Sequence, residues 1–461
     1  MTIEELRQAL LLDRKNGYNH LTPEQRIEME QYAKRYSDFI STCKTEREAV
    51  CWAVAAAEAR GFQPLVPGMT PRPGDKVYLN NRGKSMILAV IGTEHLDNGV
   101  NICGAHIDSP RMDLKPNPLY EDGEIAYFKT HYYGGIKKYQ WVTVPLAIHG
   151  IICRKDGTTV TVTIGEDEQD PVVVISDLLI HLSADQLQKP LAKGIEGEQL
   201  NVILGSEPLV GEGSDLVKLN ILKLLNEKYG ITEGDFHSAE LCIVPAGKCR
   251  EVGLDRSMLG AYGHDDRVCA YAQLEAIFSV ETPVRTAVCV LADKEEIGSV
   301  GLSSMESKAF EYFMEILCDA QGAKLTRCFA NSFCLSADVA IAFDPNFAET
   351  CDPRNSARMN HGIGVCKYTG TKGKSFASDA SAEVMHKTRT ILDDAGVLWQ
   401  MATLGKVDQG GGCTIAYVMA NRNIPTVDAG VPVLSMHAPF ELVSKLDNYM
   451  AMLACKAVFH S

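Results

Sequence analysis

Nowhere in the 461 residues do two cysteines stand in Cys-x-x-Cys spacing, although the chain holds fifteen of them. That lack excludes a thiolate zinc knuckle and a thioredoxin-type redox pair. The odd count, with most cysteines set singly in apolar runs such as Val50–Val54 and Ala287–Leu291, argues against a disulfide scaffold and suits a reducing compartment. Positive charge is also short. Lysine and arginine number 45 against 59 aspartates and glutamates, a net charge of −14, the wrong sign for a nucleic-acid partner or an anionic membrane surface. No apolar stretch approaches the ~18 residues of a membrane span, and Met1 to Leu12 reads as an acidic amphipathic helix without a basic start and apolar core. The chain is therefore expected in the cytoplasm, with no membrane partner. Three catalytic or nucleotide signatures are missing as well: the glycine fingerprint of dinucleotide binding after a strand, the Gly-x-Ser-x-Gly elbow, and the Walker A spacing.

What is present is an ordinary globular mix, 46% apolar and 23% charged, of a length for two or three domains. Apolar spacing predicts helices over Pro23 to Ser41 and Glu46 to Arg60, then strands over Lys76 to Leu79, Met86 to Ile91 and Val100 to Ala105. The character changes near residue 124. Alternation through Thr158 to Ile164, after the turn signal Lys155-Asp156-Gly157, is hairpin grammar. From Leu241 onward short buried-looking strands alternate with longer helical segments, as in a layered α/β sheet. The pattern predicts an α/β domain, residues 1–112 and 245–461, interrupted by a β-rich insertion over residues 113–244.

In open parallel sheets, function gathers at the carboxyl ends of strands. Following each apolar run to its end gives His106 and Asp108 after Val100 to Ala105, Glu295 and Glu296 after Ala287 to Ala292, Asp338 after Phe333 to Ala337, and His437 after Val431 to Met436. A fifth segment, Leu259 to Arg267, carries Asp265 and Asp266 into a helix. Taken singly, each has a plain structural role: a core histidine, a helix N-cap at Asp265 or Asp266, a solvated turn at Asp293 to Glu296. Coincidence at five segment ends favours a joint site. Imidazole and carboxylate without thiolate suit zinc, or cobalt or manganese in its place. Two metals roughly 3.5–4 Å apart need one bridging carboxylate and about two further ligands each, which five donors supply. Adjacent Glu295 and Glu296 can diverge, one to metal and one to water as general base.

Two glycine-rich stretches offer a competing class, a phosphate- or nucleotide-binding protein. Gly370 to Ser375 has two residues between its glycines where a phosphate loop has four, and Asp408 to Thr414 can form an anion-binding turn or a plain tight turn.

The segments Gly104-Ala105-His106-Ile107-Asp108-Ser109-Pro110-Arg111, Asp265-Asp266-Arg267, Glu295-Glu296-Ile297-Gly298-Ser299, Ser336-Ala337-Asp338 and Ser435-Met436-His437 together resemble the aspartyl aminopeptidase / aminopeptidase I family of dinuclear zinc exopeptidases. The resemblance runs over about residues 40 to 450. It implies a phosphorylase/hydrolase-like catalytic domain with a mixed central sheet, a β-rich dimerisation insertion, peptide substrates, two zinc ions per subunit, and a homo-oligomer, usually a tetrahedral dodecamer built from dimers. Carried across, Asp265 resembles the bridging ligand, His106 and Asp338 one metal's pair, and Glu296 and His437 the other's. Glu295 resembles the general base and Asp108 the support of His106. His181 resembles an insertion histidine contributed to the neighbouring subunit's site, and Lys367 a substrate-binding lysine. Members preferring acidic N-terminal residues carry histidine three positions after the Asp338 equivalent; here stands Ile341, so acidic specificity is not expected. Gly134 to Trp141 looks more like the bacterial branch.

Overall fold

The computed structural model describes residues 1–12, 16–370, 372–412 and 414–461. Its centre is a nine-stranded sheet, ordered Gln63–Pro64, Lys76–Asn81, Ser85–Val90, Ala287–Ala292, Asn101–His106, Phe333–Ser336, Thr426–Gly430, Ile363–Cys366 and Trp399–Met401. The sheet is mixed. Ala287–Ala292, Asn101–His106, Phe333–Ser336 and Thr426–Gly430 run parallel, while Ser85–Val90 and Ile363–Cys366 flank them antiparallel. These strands read as unbroken apolar runs because both faces are covered. Along Ala287–Ala292, Ala287, Cys289 and Leu291 enter one core and Val288, Val290 and Ala292 the other.

Pro23–Thr42, Glu46–Glu58, His264–Phe278 and Lys445–Phe459 form the helical layer on the first face. The first two begin in capping boxes, Thr22 with Gln25 and Thr45 with Glu48, which satisfy amides the helix leaves open. Ala309–Gln321 and Leu325–Asn331 cover the second face. The expected helices and strands of the first hundred residues are found within about three residues at each end. Among the described residues, no helix is long and apolar enough to cross a membrane.

A second sheet has six strands, all antiparallel, drawn from Arg111 to Pro245. Its hairpin Leu146–Cys153 to Thr159–Ile164 turns where Lys155-Asp156-Gly157 signals it, with Gly157 at φ +86°. The segment is not purely β: Leu216–Tyr229 is a helix, its apolar residues packing on the sheet's own core. A third sheet of five strands, Arg250–Val252, Met258–Ala261, Glu441–Ser444, Pro432–Leu434 and Ala340–Ile341, lies outside the expectation altogether.

A buried charged cluster joins the six-stranded sheet to the first helical layer. His149 Nδ1 lies 2.7 Å from Glu48 and Nε2 2.9 Å from Glu166, and Lys44 Nζ reaches Glu166 and the Pro245 carbonyl. Burial lowers the His149 pKa, but hydrogen bonds to Glu166 and Glu48 outweigh it and bring it up to about 8. A histidine whose folded pKa is raised contributes stability that is complete below about pH 6.5 and lost as pH rises through about 8, here worth about 2 kcal/mol. The melting temperature is therefore expected to fall across that window in the wild type and to stay flatter in His149→Gln. Parallel pH profiles for the two proteins would remove the cluster from the stability of this junction.

Candidate metal centre

Three of the expected donors leave neighbouring parallel strands of the central sheet. His106 ends Asn101–His106, Glu296 lies in the short turn Glu295–Ile297 after Ala287–Ala292, and Asp338 follows Phe333–Ser336. Asp265 and His437 do not come from that sheet. They follow Met258–Ala261 and Pro432–Leu434, which pair antiparallel with Glu441–Ser444 in the five-stranded sheet. The expectation of five ends of one sheet is corrected accordingly. A short buried run has the same composition in either sheet, and composition does not encode its partner. Neither aspartate caps the helix: the Asp265 carboxylate faces His106 and His437, and neither Asp266 carboxylate oxygen has a hydrogen-bond partner.

The Asp265 carboxylate lies between two imidazoles, Oδ1 at 3.2 Å from His106 Nε2 and Oδ2 at 3.2 Å from His437 Nε2. Asp338 Oδ1 is 3.8 Å from His106 Nε2, and Glu296 Oε1 is 3.5 Å from His437 Nε2. Donor atoms of His106, Asp265 and Asp338 all lie within 4.8 Å of one another, as do those of Asp265, Glu296 and His437. Two triads thus share one carboxylate. Each imidazole also has its other nitrogen engaged, His106 Nδ1 at 3.0 Å from the Asp108 carbonyl and His437 Nδ1 at 2.8 Å from that of Gly135. Both Nε2 atoms are left facing Asp265, the arrangement second-sphere partners give metal-binding histidines. Asp265 Oδ1 and Glu296 Oε1 are buried without a hydrogen-bond partner, a costly state unless a cation is held there. The donors present fit zinc.

Glu295 stands in neither triad, with Oε2 3.8 Å from His106 Nε2. Burial, with the Asp338, Asp108 and Asp265 charges against the pull of His106, pushes its carboxyl up to about 8. Asp265 goes the other way. Burial raises its pKa, yet the His106 and His437 imidazoles beside it hold it below the usual carboxylate range.

Two further carboxylates brace these groups. Asp108 accepts the backbone N–H of Glu295 and Glu296 at 3.1 and 3.2 Å and the Tyr133 hydroxyl at 2.8 Å, so it fixes the double-glutamate turn as well as His106. Glu441, which sequence reasoning missed, accepts the backbone N–H of Asp265 at 3.0 Å and of His437 at 2.6 Å. Its one signal was a carboxylate four residues after His437. Tyr133 and Gly135, from the six-stranded side, gave no signal.

The triads and Glu295 line a cavity of about 400 Å³ that also takes in Val339, Ile341, Cys366, Tyr368, Leu404, Asp428 and Met436. Neither His181 nor Lys367 lines it. Lys367 Nζ pairs with Asp379 at 2.8 Å, while its neighbours Cys366 and Tyr368 face inward. His181 is exposed in the short turn Ile180–Leu182 of the insertion. The glycine-rich stretches meet at the cavity rim, Gly370 N–H donating to the Gly412 carbonyl at 2.7 Å, and Lys374 is paired with Asp379. Thr371 and Cys413, one in each stretch, lie outside the described residues.

A mixed sheet that delivers histidines and carboxylates into one cavity as two triads is the architecture of a metallohydrolase. Residues 39–459 match the family model described as aminopeptidase I zinc metalloprotease, and the chain belongs to that family. A Clostridium acetobutylicum protein named "Probable M18 family aminopeptidase 1" is 51% identical over 95% of this chain and 97% of its own. The crystal structure of an M18-family aminopeptidase from Thermotoga maritima has a TM-score of 0.93 at 42% identity, covering 97% of this chain and 99% of its own. A solved structure described as the S. cerevisiae mApe1 dodecamer shares the fold, with TM-score 0.76 at 21% identity over 94% of this chain and 97% of its own. The protein is a metalloaminopeptidase, an exopeptidase of the hydrolase class. The phosphate- or nucleotide-binding alternative is not supported.

Proposed function

We propose that the chain removes N-terminal residues from short peptides with two zinc ions, one held by His106, Asp338 and Asp265 and the other by Glu296, His437 and Asp265. The observation that carries this reading is the Asp265 carboxylate set between His106 and His437 with an orphaned oxygen beside each triad. When bound, the ions supply Lewis acidity for the scissile carbonyl and for water. Glu295 acts as general base, taking the proton of the attacking water on its carboxylate and returning it to the leaving amine. Asp108 keeps Glu295 at that station through the backbone bond and keeps His106 oriented. Glu441 holds the Asp265 and His437 backbones in place.

The dimerisation role of the insertion is part of the same proposal. Around His181, Leu178, Leu179, Ile180, Leu182, Leu187 and Leu191 are each 46% to 68% exposed, apolar side chains that a partner surface could cover. A second copy covering this segment would bring His181 to the partner's cavity, and dimers of this kind would build the tetrahedral dodecamer. Cysteine usage supports a reducing compartment, the cytoplasm.

The subsite wall formed by Val339, Ile341, Cys366, Leu404 and Met436 is apolar, and Lys367 is already paired with Asp379. A substrate carboxylate there would lose water with little compensation. Neutral or basic N-terminal residues are expected to be cleaved at least as fast as aspartate. Metal analysis of the purified protein, beside a panel of aminoacyl chromogenic substrates, tests both parts. Absence of zinc, cobalt and manganese defeats the dinuclear reading, and a strong preference for aspartyl and glutamyl over leucyl and lysyl substrates defeats the specificity.

A further inference from the structure

Asp428 lines the same cavity, and neither triad nor the base uses it. It belongs to Thr426–Gly430, the sheet neighbour of Phe333–Ser336, and pairs in register with Ser336 on one side and Cys366 on the other. Residues directly opposed across strands share a face, so its side chain stands with those of Ser336 and Cys366. Asp338 follows Ser336 by two residues. Asp428 therefore lies one row behind the Asp338 donor, on the cavity floor.

The residue is 4% exposed, with the Ser336 and Thr414 hydroxyls beside its carboxylate, yet Oδ1 is left without a hydrogen-bond partner. A buried carboxylate with an open oxygen is costly unless a cation or a proton meets it. Among the described residues that line the cavity there is no lysine or arginine to do so. Two zinc ions, when bound, would be balanced by the four carboxylates of Asp265, Glu296, Asp338 and Glu295, which leaves this oxygen to another cation. What remains is one buried carboxylate, met by hydroxyls but by no cationic side chain, facing the space where substrate must lie.

Every substrate of an aminopeptidase carries one cation regardless of its side chain, the α-ammonium, two bonds from the scissile carbonyl carbon. We propose that Asp428 is the receptor for this α-ammonium, the contact that anchors the N-terminal end of the peptide and restricts the enzyme to free N-termini. The proposal rests on the aminopeptidase reading and adds a binding group to it. The apolar wall at Ile341 and Leu404 is left to take the side chain, and Asp428, with Ser336 beside it, takes the charge common to all substrates.

The test is direct binding to the zinc-loaded protein by calorimetry, using leucine hydroxamate and its desamino analogue 4-methylpentanohydroxamate. The wild type is expected to bind the amine-bearing ligand about 10- to 100-fold more tightly, the range of a hydrogen bond to a charged group. Asp428→Asn, nearly isosteric, is expected to hold the same zinc, to bind the desamino ligand unchanged, and to lose most of the difference. A difference kept in Asp428→Asn overturns the proposal, as does loss of zinc from that variant, which would make Asp428 a support of the metals instead. The wild-type comparison needs no variant. If the zinc-loaded enzyme cleaves aminoacyl substrates but binds the two ligands equally, the subsite fails while the aminopeptidase reading stands. If it cleaves none of the panel, both fall.

Discussion

Glu295→Gln is expected to retain as much zinc as the wild type and to hydrolyse peptides on the order of 10² to 10⁴ more slowly, the usual contribution of a general base. Glu296→Gln is expected to lose both metal and activity. The two side chains are chemically identical and adjacent, and their backbone amides both donate to Asp108, so the difference lies only in where the carboxyls are sent. Glu296 Oε1 is turned to His437 and Asp265, completing the second triad. Glu295 stands beside the first triad without joining it, raised to about 8 by burial and by its acidic neighbours. A glutamine at 295 keeps the shape and cannot take a proton. At 296 it also removes the anionic donor that makes the cation site affordable to fill. Metal content and kcat, measured on the same preparations, separate the two; equal zinc loss in both variants would refute the assignment.

His181→Ala should lower the rate by about 10² to 10³ without releasing zinc, the scale of losing one donor to a developing oxyanion. The residue does not line its own cavity. It sits exposed in the turn Ile180–Leu182 of the insertion, while the cavity is walled by the central and five-stranded sheets. The apolar residues around it give a second subunit a reason to dock there, and a two-fold contact would place the histidine in the partner's site reciprocally. Complementation is the decisive measurement. Inactive His181→Ala chains co-assembled with inactive Glu295→Gln chains should recover part of the activity, because some interfaces then pair an intact base with an intact histidine. Mixed assemblies that form and stay as inactive as either parent would show that His181 does not act in trans.

The sequence by itself determined the elements of the first hundred residues and the apolar runs that lead to the site, since burial on both faces leaves unbroken apolar runs and capping boxes leave Thr-x-x-Gln and Thr-x-x-Glu in the chain. It also supplied the candidate donor residues, because imidazole and carboxylate at the ends of such runs are visible without coordinates. What only the tertiary structure decided is which sheet each donor leaves from. Val431 to Met436 reads like another central strand, but Pro432–Leu434 pairs with Glu441–Ser444, and that hairpin carries His437 to Asp265. Strand pairing is a long-range choice made by hydrogen bonds between backbones, to which residue type contributes little. The bracing groups were hidden for the same reason. Glu441 works through the amides of Asp265 and His437, Tyr133 through the Asp108 carboxylate just past the end of Asn101–His106, and Gly135 through its carbonyl. Asp428 was hidden by its setting inside the apolar run Thr426–Gly430, where only the register with Ser336 and Cys366 reveals that it faces the cavity.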